Sequence, residues 1–430
     1  MVFWALIYNF ILIPISYIAF RIASLFAEKV KLGIQGRKRL FPNLTEKINL
    51  LPSDKKRIWF HIASYGEFEQ AKPVLNALKQ ESDRYSVIAS IFSPSAYENI
   101  KSHPSVDVIT YLPFDSWFNA RKFLSIIRPD AAVFVRHDIW PNHAWQARKQ
   151  GIPLILFDAS LRPDTSRFFP IVRCFNRALF NSFDIIHATT EKDVERLSRL
   201  CAKKNNLLLT GDTKYDQARQ RSLDTKKLEA VIDPGAFKGK RVLVAGQTHF
   251  SDDRHLMPAF SRLLGQIDDL FMILVPHEPT EDYIAATEAT FKTLDISSLR
   301  LSRYRKHRTV VDFQVLIIDS IGLCANLYGL GEVAFVGGSF RPGIHNVIEP
   351  AVYGIPIVFG PRIEVSSEAQ ELVDRKGALI VNNTQDIFET LRLFFTDETE
   401  RQRVGNIAQQ LVSENIGATQ KVVDSILSYL

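Results

Sequence analysis

The chain has few of the residues and motifs that mark disulfide-rich, metal-binding or dinucleotide-binding proteins. Its 430 residues include three cysteines, Cys174, Cys201 and Cys324, which lie far apart and form no CxxC pair. Such spacing argues against a disulfide framework or a structural zinc site and favours a reducing compartment. The sequence also lacks HExxH, GxSxG, Walker and GxGxxG elements. These absences argue against zincins, serine hydrolases, P-loop proteins and standard dinucleotide-binding proteins.

The chain also lacks a strong excess of one charge and a cluster of carboxylates. The net charge of +6 fits an anionic substrate or membrane surface and is too weak to indicate a nucleic-acid partner, so we expect no nucleic acid. Because the carboxylates are not grouped as a metal cage requires, we expect no metal and no bound cofactor. With 46% hydrophobic residues, the chain is long enough to form two globular domains.

The amino terminus differs from the rest of the chain. Residues 2–20 carry no charge, and about 20 apolar residues are needed for a helix to cross a bilayer. No basic residues precede this run, and no small-residue cleavage site follows it, which argues against a signal peptide. We predict a membrane anchor that leaves the body of the protein in the cytoplasm, because five basic residues follow the run: Lys29, Lys31, Arg37, Lys38 and Arg39. A helix lying in the membrane interface and a buried core helix remain alternatives.

Two α/β halves follow the amino-terminal segment. Short apolar strands alternate with helical segments in both halves, which predicts two parallel sheets covered by helices on both faces. We expect these two Rossmann-like domains to face each other across a cleft. The predicted boundaries are 1–40 for the anchor and its basic flank, 41–216 for the first domain, 217–240 for a polar linker and 241–430 for the second domain with carboxyl-terminal helices.

The most informative segment covers residues 333–361. A buried strand ends in Gly337-Gly338-Ser339, and His345-Asn346 and Glu349 then precede a second strand. Paired glycines at a strand end allow backbone N–H groups to approach a phosphate, and a helix start there favours negative charge. A carboxylate on the first turn can accept hydrogen bonds from ribose hydroxyls. We predict a nucleotide site at the carboxyl ends of these strands, with a ligand-free glycine turn as the alternative.

The first half offers two carboxylates and a lysine as candidates. Glu67 follows a strand at a predicted helix start, where it would act as a general base or simply stabilise the helix dipole. Asp138 follows another buried strand, where it would lie in a cleft or cap a helix. Lys214 would face an anion or be an ordinary solvated lysine.

Two histidines of the second half also follow strands. His249, in Gly246-Gln247-Thr248-His249, would donate to a phosphate or carboxylate, or belong to an ordinary turn. His277, in Pro276-His277-Glu278-Pro279, has the same position after the next strand, and a solvated loop histidine is its simpler interpretation.

These elements, in this order, resemble the Kdo transferases, which attach 3-deoxy-D-manno-octulosonic acid (Kdo) to lipid A precursors. The resemblance rests on the amino-terminal apolar segment and on the motifs HIASYGE, RHDIWPN, GIPLILFDASL, GDTKYD, GQTH, ILVPHEP and VGGSFRPGIHNVIEPAVYGIPIVFGP. It implies a GT-B fold, CMP-Kdo as the donor, a lipid A precursor as the acceptor and no bound metal. It also implies a location on the cytoplasmic face of the inner membrane, in contact with its lipid.

By this resemblance, Glu67 matches the catalytic carboxylate, and Asp138 stands where the family usually has glutamate. Lys214, His345, Asn346 and Glu349 match binding positions of the family, which makes residues 241–430 the donor domain. His277-Glu278 replaces a common Arg-His pair, so the chain is identified as a divergent member. Two other classes remain open: a GT-B transferase or epimerase that uses a UDP-sugar, and a non-catalytic nucleotide-sugar binder.

Overall fold

The computed structural model describes residues 2–201, 206–304, 313–341 and 343–430. The chain forms two compact units, one from Met1–Gln217 with Ile416–Leu430 and the other from Ala218–Asn415. We call them the first and second units. The strands are β1 (Lys56–Ile62), β2 (Tyr85–Ile91), β3 (Val108–Tyr111), β4 (Ala131–Val135), β5 (Leu154–Ala159), β6 (Ile185–Ala188), β7 (Leu207–Leu209), β8 (Arg241–Thr248), β9 (Leu270–Pro276), β10 (Ser298–Arg300), β11 (Val315–Ile317), β12 (Val333–Val336), β13 (Ile357–Phe359) and β14 (Ala378–Ile380).

Helices alternate with these strands, which confirms the predicted α/β class. They are α1 (Val2–Ile7), α2 (Ile13–Phe26), α3 (Glu28–Gly36), α4 (Leu40–Asn49), α5 (Tyr65–Glu81), α6 (Pro94–Asn99), α7 (Trp117–Ile127), α8 (Pro141–Lys149), α9 (Pro170–Phe180), α10 (Glu191–Ser198), α11 (Thr213–Leu223), α12 (Lys226–Val231), α13 (Phe250–Leu264), α14 (Glu281–Thr293), α15 (Cys324–Leu327), α16 (Ile348–Ala351), α17 (Ser367–Asp374), α18 (Thr384–Thr396), α19 (Glu398–Asn415) and α20 (Ala418–Leu427).

The first unit contains a parallel sheet with strand order β3-β2-β1-β4-β5-β6-β7. Strand β1 pairs with β2 on one side and β4 on the other. Alternate residues of β1 enter different cores, since Ile58 and Phe60 pack on one face and Trp59 on the other. The chain reverses its winding direction between β1 and β4, and ligands of open α/β sheets bind at such a point.

The second unit repeats this arrangement with strand order β10-β11-β9-β8-β12-β13-β14. Here the central strand β8 pairs with β9 and β12. The winding direction reverses between β8 and β12, so the loops after these two strands border the corresponding position.

The structure corrects the predicted domain boundaries. The predicted linker 217–240 holds the end of α11 and all of α12, and the predicted second domain is too long at its carboxyl end. Helix α20 buries Val422, Val423 and Ile426 in the core of the first unit. Asp216 fixes its start, because the Asp216 carboxylate accepts hydrogen bonds from the backbone N–H groups of Gly417 and Thr419, both at 2.8 Å. Sequence periodicity shows that a helix has an apolar face but not which distant sheet covers it.

The amino-terminal segment is a long apolar helix, as predicted. It runs through α1, a π-helical turn at Tyr8–Leu12 and α2. In the part of the chain that the structure describes, Phe3–Phe26 is the one helix long and apolar enough to cross a membrane.

Candidate functional site

Glu67 lies at the carboxyl end of β1, in the first turn of α5. Ser64 caps this helix, since its Oγ accepts a hydrogen bond from the Glu67 N–H at 3.3 Å. The Glu67 side chain folds back so that its Oε2 accepts a hydrogen bond from the Ala63 N–H at 2.6 Å. Within the described residues, no group donates a hydrogen bond to Oε1. Glu67 is 7% exposed, and burial raises the pKa of its carboxyl, although the Ala63 bond opposes the shift.

Asp138 follows β4, on the other side of the reversal point. Its Oδ2 accepts a hydrogen bond from the Trp140 Nε1 at 3.2 Å, and His61 Nε2 lies 3.6 Å from the same oxygen. Burial opposes ionisation of Asp138, but His61 and Trp140 outweigh burial, so the pKa of this carboxyl lies below its usual value. The Asp138 charge contributes to the raised pKa of Glu67. The structure therefore brings together two carboxyls whose pKa values shift in opposite directions, a common arrangement in sites of acid–base chemistry.

Lys214 belongs to a second charged group of the first unit. Its Nζ lies 3.1 Å from Asp212 Oδ2, and Asp158 accepts a hydrogen bond from the Thr213 N–H at 3.0 Å. Burial, reinforced by the charge of Asp212, raises the pKa of Asp158 well above its usual value. Asp158 was not among the predicted site residues, and it lies within the buried strand β5.

The paired glycines of the second unit permit close packing of two loops. A Cβ atom on Gly337 would lie 2.3 Å from the Gln247 backbone oxygen, and Gly338 has a φ of +94°. The Gly337 N–H donates to the Gly246 oxygen at 2.9 Å, and the Gly338 N–H donates to Asp252 Oδ2 at 2.9 Å. Both amides therefore have acceptors within the protein, and phosphate binding by them stays a prediction.

Ser339 and Asn346 also have partners within the loops. Ser339 Oγ accepts a hydrogen bond from the Gly360 N–H at 2.6 Å, and Asn346 Oδ1 accepts from the Ile348 N–H at 3.0 Å. The helix predicted after them, α16, has only four residues. Both side chains fix the shape of the loop, and so short a helix contributes little macrodipole.

Three histidines converge at the ends of β8, β9 and β12. The ring centroids of His249, His277 and His345 are separated by 4.3 to 5.2 Å, and the Nε2 atoms of His249 and His345 are 2.9 Å apart. Burial lowers the pKa of His249 to about 4 and that of His345 to about 3, and the nearby Arg341 adds to both shifts. The ligand nitrogens of the three rings lie within 4.8 Å of one another, a set able to hold a metal ion. Sequence analysis placed these histidines separately, and only the sheet brings them together.

Glu349 is a further buried carboxylate of the second unit, with 6% of its side chain exposed. Its Oε1 accepts a hydrogen bond from Arg221 Nη1 at 2.8 Å. The Asn326 side chain holds Arg221 by donating to its backbone oxygen at 2.7 Å. Sequence analysis missed Arg221, because 128 residues separate the two partners and no local pattern joins them.

Comparison with solved structures establishes the class of the fold. The UDP-GlcNAc 2-epimerase of Neisseria meningitidis matches with a TM-score of 0.60 and 16% identity, covering 86% of this chain and 100% of that one. MurG of Acinetobacter baumannii matches with a TM-score of 0.54 and 16% identity, covering 87% and 99%. These matches, with the two parallel sheets, confirm the predicted GT-B fold.

Sequence comparison then bears on the family. A family model described as 3-deoxy-D-manno-octulosonic-acid transferase matches residues 38–217. The 3-deoxy-D-manno-octulosonic acid transferase of Haemophilus influenzae is 27% identical over 378 residues, covering 87% of each chain. The enzyme of that name from Aquifex aeolicus is 28% identical over 346 residues, covering 79% of this chain and 85% of its own. These matches cover most of the chain at low identity and support the resemblance to a divergent Kdo transferase that its motifs predicted.

Proposed function

We propose that this protein is an inverting glycosyltransferase that moves Kdo from CMP-Kdo to a lipid A precursor, lipid IVA, at the cytoplasmic face of the inner membrane. The observation that carries the proposal is the pair Glu67 and Asp138 at the reversal point of the first sheet. The pair lies within the segment matched by the family model, and its two pKa values are shifted in opposite directions.

Glu67 supplies the base in this proposal. Its Oε1 takes the proton of an acceptor hydroxyl, and the hydroxyl oxygen forms a bond to the anomeric carbon of Kdo. The bond between that carbon and the phosphate oxygen breaks, and CMP leaves with the electron pair. The Ala63 N–H orients the carboxylate through Oε2. Asp138, ionised beside His61, orients the acceptor.

The second unit binds the donor in this proposal. Glu349, already paired with Arg221, accepts a hydrogen bond from the ribose through its remaining capacity. His249, His277 and His345 donate to the anionic part of CMP-Kdo, with Arg341 adding positive charge nearby. In this proposal the loop owes its shape to Gly337, Gly338, Ser339 and Asn346.

The direct test is an assay of the full-length protein with CMP-Kdo and tetraacylated lipid A precursor, read by mass spectrometry. We expect a product heavier by Kdo units. Binding of CMP-Kdo without turnover would instead favour a non-catalytic binder. Greater thermal stabilisation by UDP than by CMP would favour a UDP-sugar enzyme, since a specific ligand stabilises the fold that binds it.

The transfer is also proposed to need no metal ion, although three imidazoles converge in the donor region. We expect EDTA to leave turnover unchanged within about twofold, because Glu67 and the cationic side chains carry the charge of the reaction. A chelator-sensitive rate that one divalent metal restores would overturn this proposal. In that case, the metal should fail to restore turnover in His277→Asn, because a site with three histidine ligands needs all three rings.

A further inference from the structure

The amino-terminal helix lies along the first unit for most of its length. Near its start, the Trp4 ring packs edge-on against Phe175 of α9, with centroids 5.8 Å apart. Further along, the Phe20 ring lies 5.7 Å from Phe114. A helix that crossed a bilayer away from the protein would make neither contact.

Polar side chains join the same helix to buried groups. The Tyr8 hydroxyl donates to Asp115 Oδ2 at 2.8 Å, and the Asn9 amide donates to Asn142 Oδ1 at 2.8 Å. Asp115 and Asn142 are 2% and 1% exposed. Withdrawing the helix into hydrocarbon would leave Tyr8 and Asn9 without these partners, which is unfavourable because lipid offers polar groups no hydrogen bonds.

The opposite side of the helix is apolar and exposed. Its large exposed side chains are Phe3, Leu6, Phe10, Ile11, Leu12, Ile15, Ile18, Ile22, Leu25 and Phe26. Helix α9 adjoins the amino-terminal helix, because Phe175 contacts Trp4. The exposed residues Phe169 and Ile171 at the start of α9 therefore extend this surface. We call this combined area the apolar surface. It exceeds the scattered apolar residues normal on a soluble protein.

Basic residues flank the apolar surface. On α9 the exposed basic residues are Arg173 and Arg177, and on α7 they are Arg121 and Lys122. Helix α7 also adjoins the amino-terminal helix, because its first N–H group donates to Asn9 Oδ1 at 3.2 Å. A helix with one apolar side and neighbouring cations suits the surface of an anionic bilayer, which attracts basic residues.

We propose that the amino-terminal helix lies in the plane of the membrane, docked on the first unit, and that the apolar surface, including Phe169 and Ile171, enters one leaflet of an anionic phospholipid bilayer. The proposal rests on contacts within the first unit and does not depend on the reaction that the protein catalyses.

Binding to vesicles of phosphatidylethanolamine and phosphatidylglycerol tests the second part of the surface. Phe169→Asp/Ile171→Asp in the full-length protein should weaken flotation with these vesicles at least about tenfold, because two large apolar side chains no longer enter the leaflet. Ile321→Asp, a matched change at an exposed isoleucine of the second unit, should leave binding unchanged. Equal binding of all three proteins would overturn the proposal.

Thiol labelling of cells separates an in-plane helix from a spanning one. In a Cys174→Ser background, which removes the exposed native thiol, Phe3→Cys should stay unlabelled by a membrane-impermeant maleimide in intact spheroplasts and react only after detergent dissolves the membrane, because residue 3 lies in the cytoplasmic leaflet. Labelling of intact spheroplasts would place residue 3 beyond the membrane and overturn the proposal. Asn9→Leu should lower the Tm of the detergent-solubilised protein, whereas a helix that is not docked would show no change. Transfer activity of each variant in detergent reports separately on the proposed reaction.

Discussion

Glu67→Gln is expected to lower turnover by roughly 10²–10⁴-fold while leaving CMP-Kdo binding nearly intact. Glutamine keeps a carbonyl oxygen that can accept from the Ala63 N–H, but it cannot take a proton at neutral pH. In the unchanged protein, turnover should fall as the pH drops through the pKa of Glu67, because protonation removes the base. That pKa lies above the ordinary value of 4.5. Single-turnover kinetics and calorimetry of donor binding measure the two quantities.

Glu69→Gln provides a matched control on the same helix. Glu69 is also buried, and its carboxylate pairs with Lys72 and accepts a hydrogen bond from Gln217 at 2.8 Å. Its replacement should reduce stability without a comparable loss of turnover. If Glu67→Gln retained near-normal turnover, the base would have to be another group, and Asp138→Asn would be the next variant to measure.

Glu349→Ala is expected to weaken CMP binding by about 1–3 kcal/mol, because a hydrogen bond to a charged acceptor is lost. The ribose would lose its carboxylate acceptor, and Arg221 would lose its partner. Calorimetry with CMP measures the change, and near-normal affinity in the folded variant would refute the placement of the ribose at Glu349.

Arg221→Ala separates ribose binding from loop stability. It removes the cation but keeps the carboxylate, so it should weaken CMP binding less than Glu349→Ala does. Equal losses of affinity accompanied by equal falls in Tm would show that the ion pair acts by holding the loop.

The candidate positions could be read from the sequence because they follow apolar strands. Each candidate comes soon after a strand of a parallel sheet, and the carboxyl ends of such strands meet at one edge of their sheet. The candidates are Glu67 and Asp138 in the first unit, and His249, His277 and the loop at Gly337 in the second. What each group contacts at that edge could not be read. Asp252 takes the Gly338 amide, and this contact depends on packing between segments 86 residues apart.

The sequence by itself determined the α/β class, the alternation of strands and helices, the apolar amino-terminal helix and the resemblance to Kdo transferases, because these depend on local periodicity and on motifs. Only the tertiary structure decided that α20 completes the first unit, that Arg221 pairs with Glu349, that three histidines meet, and that Tyr8 and Asn9 dock the amino-terminal helix. Each of these depends on which distant surface satisfies an apolar face or a buried polar group. The packing of the whole unit determines this partner, because a buried polar group without a hydrogen bond costs free energy wherever it lies in the chain.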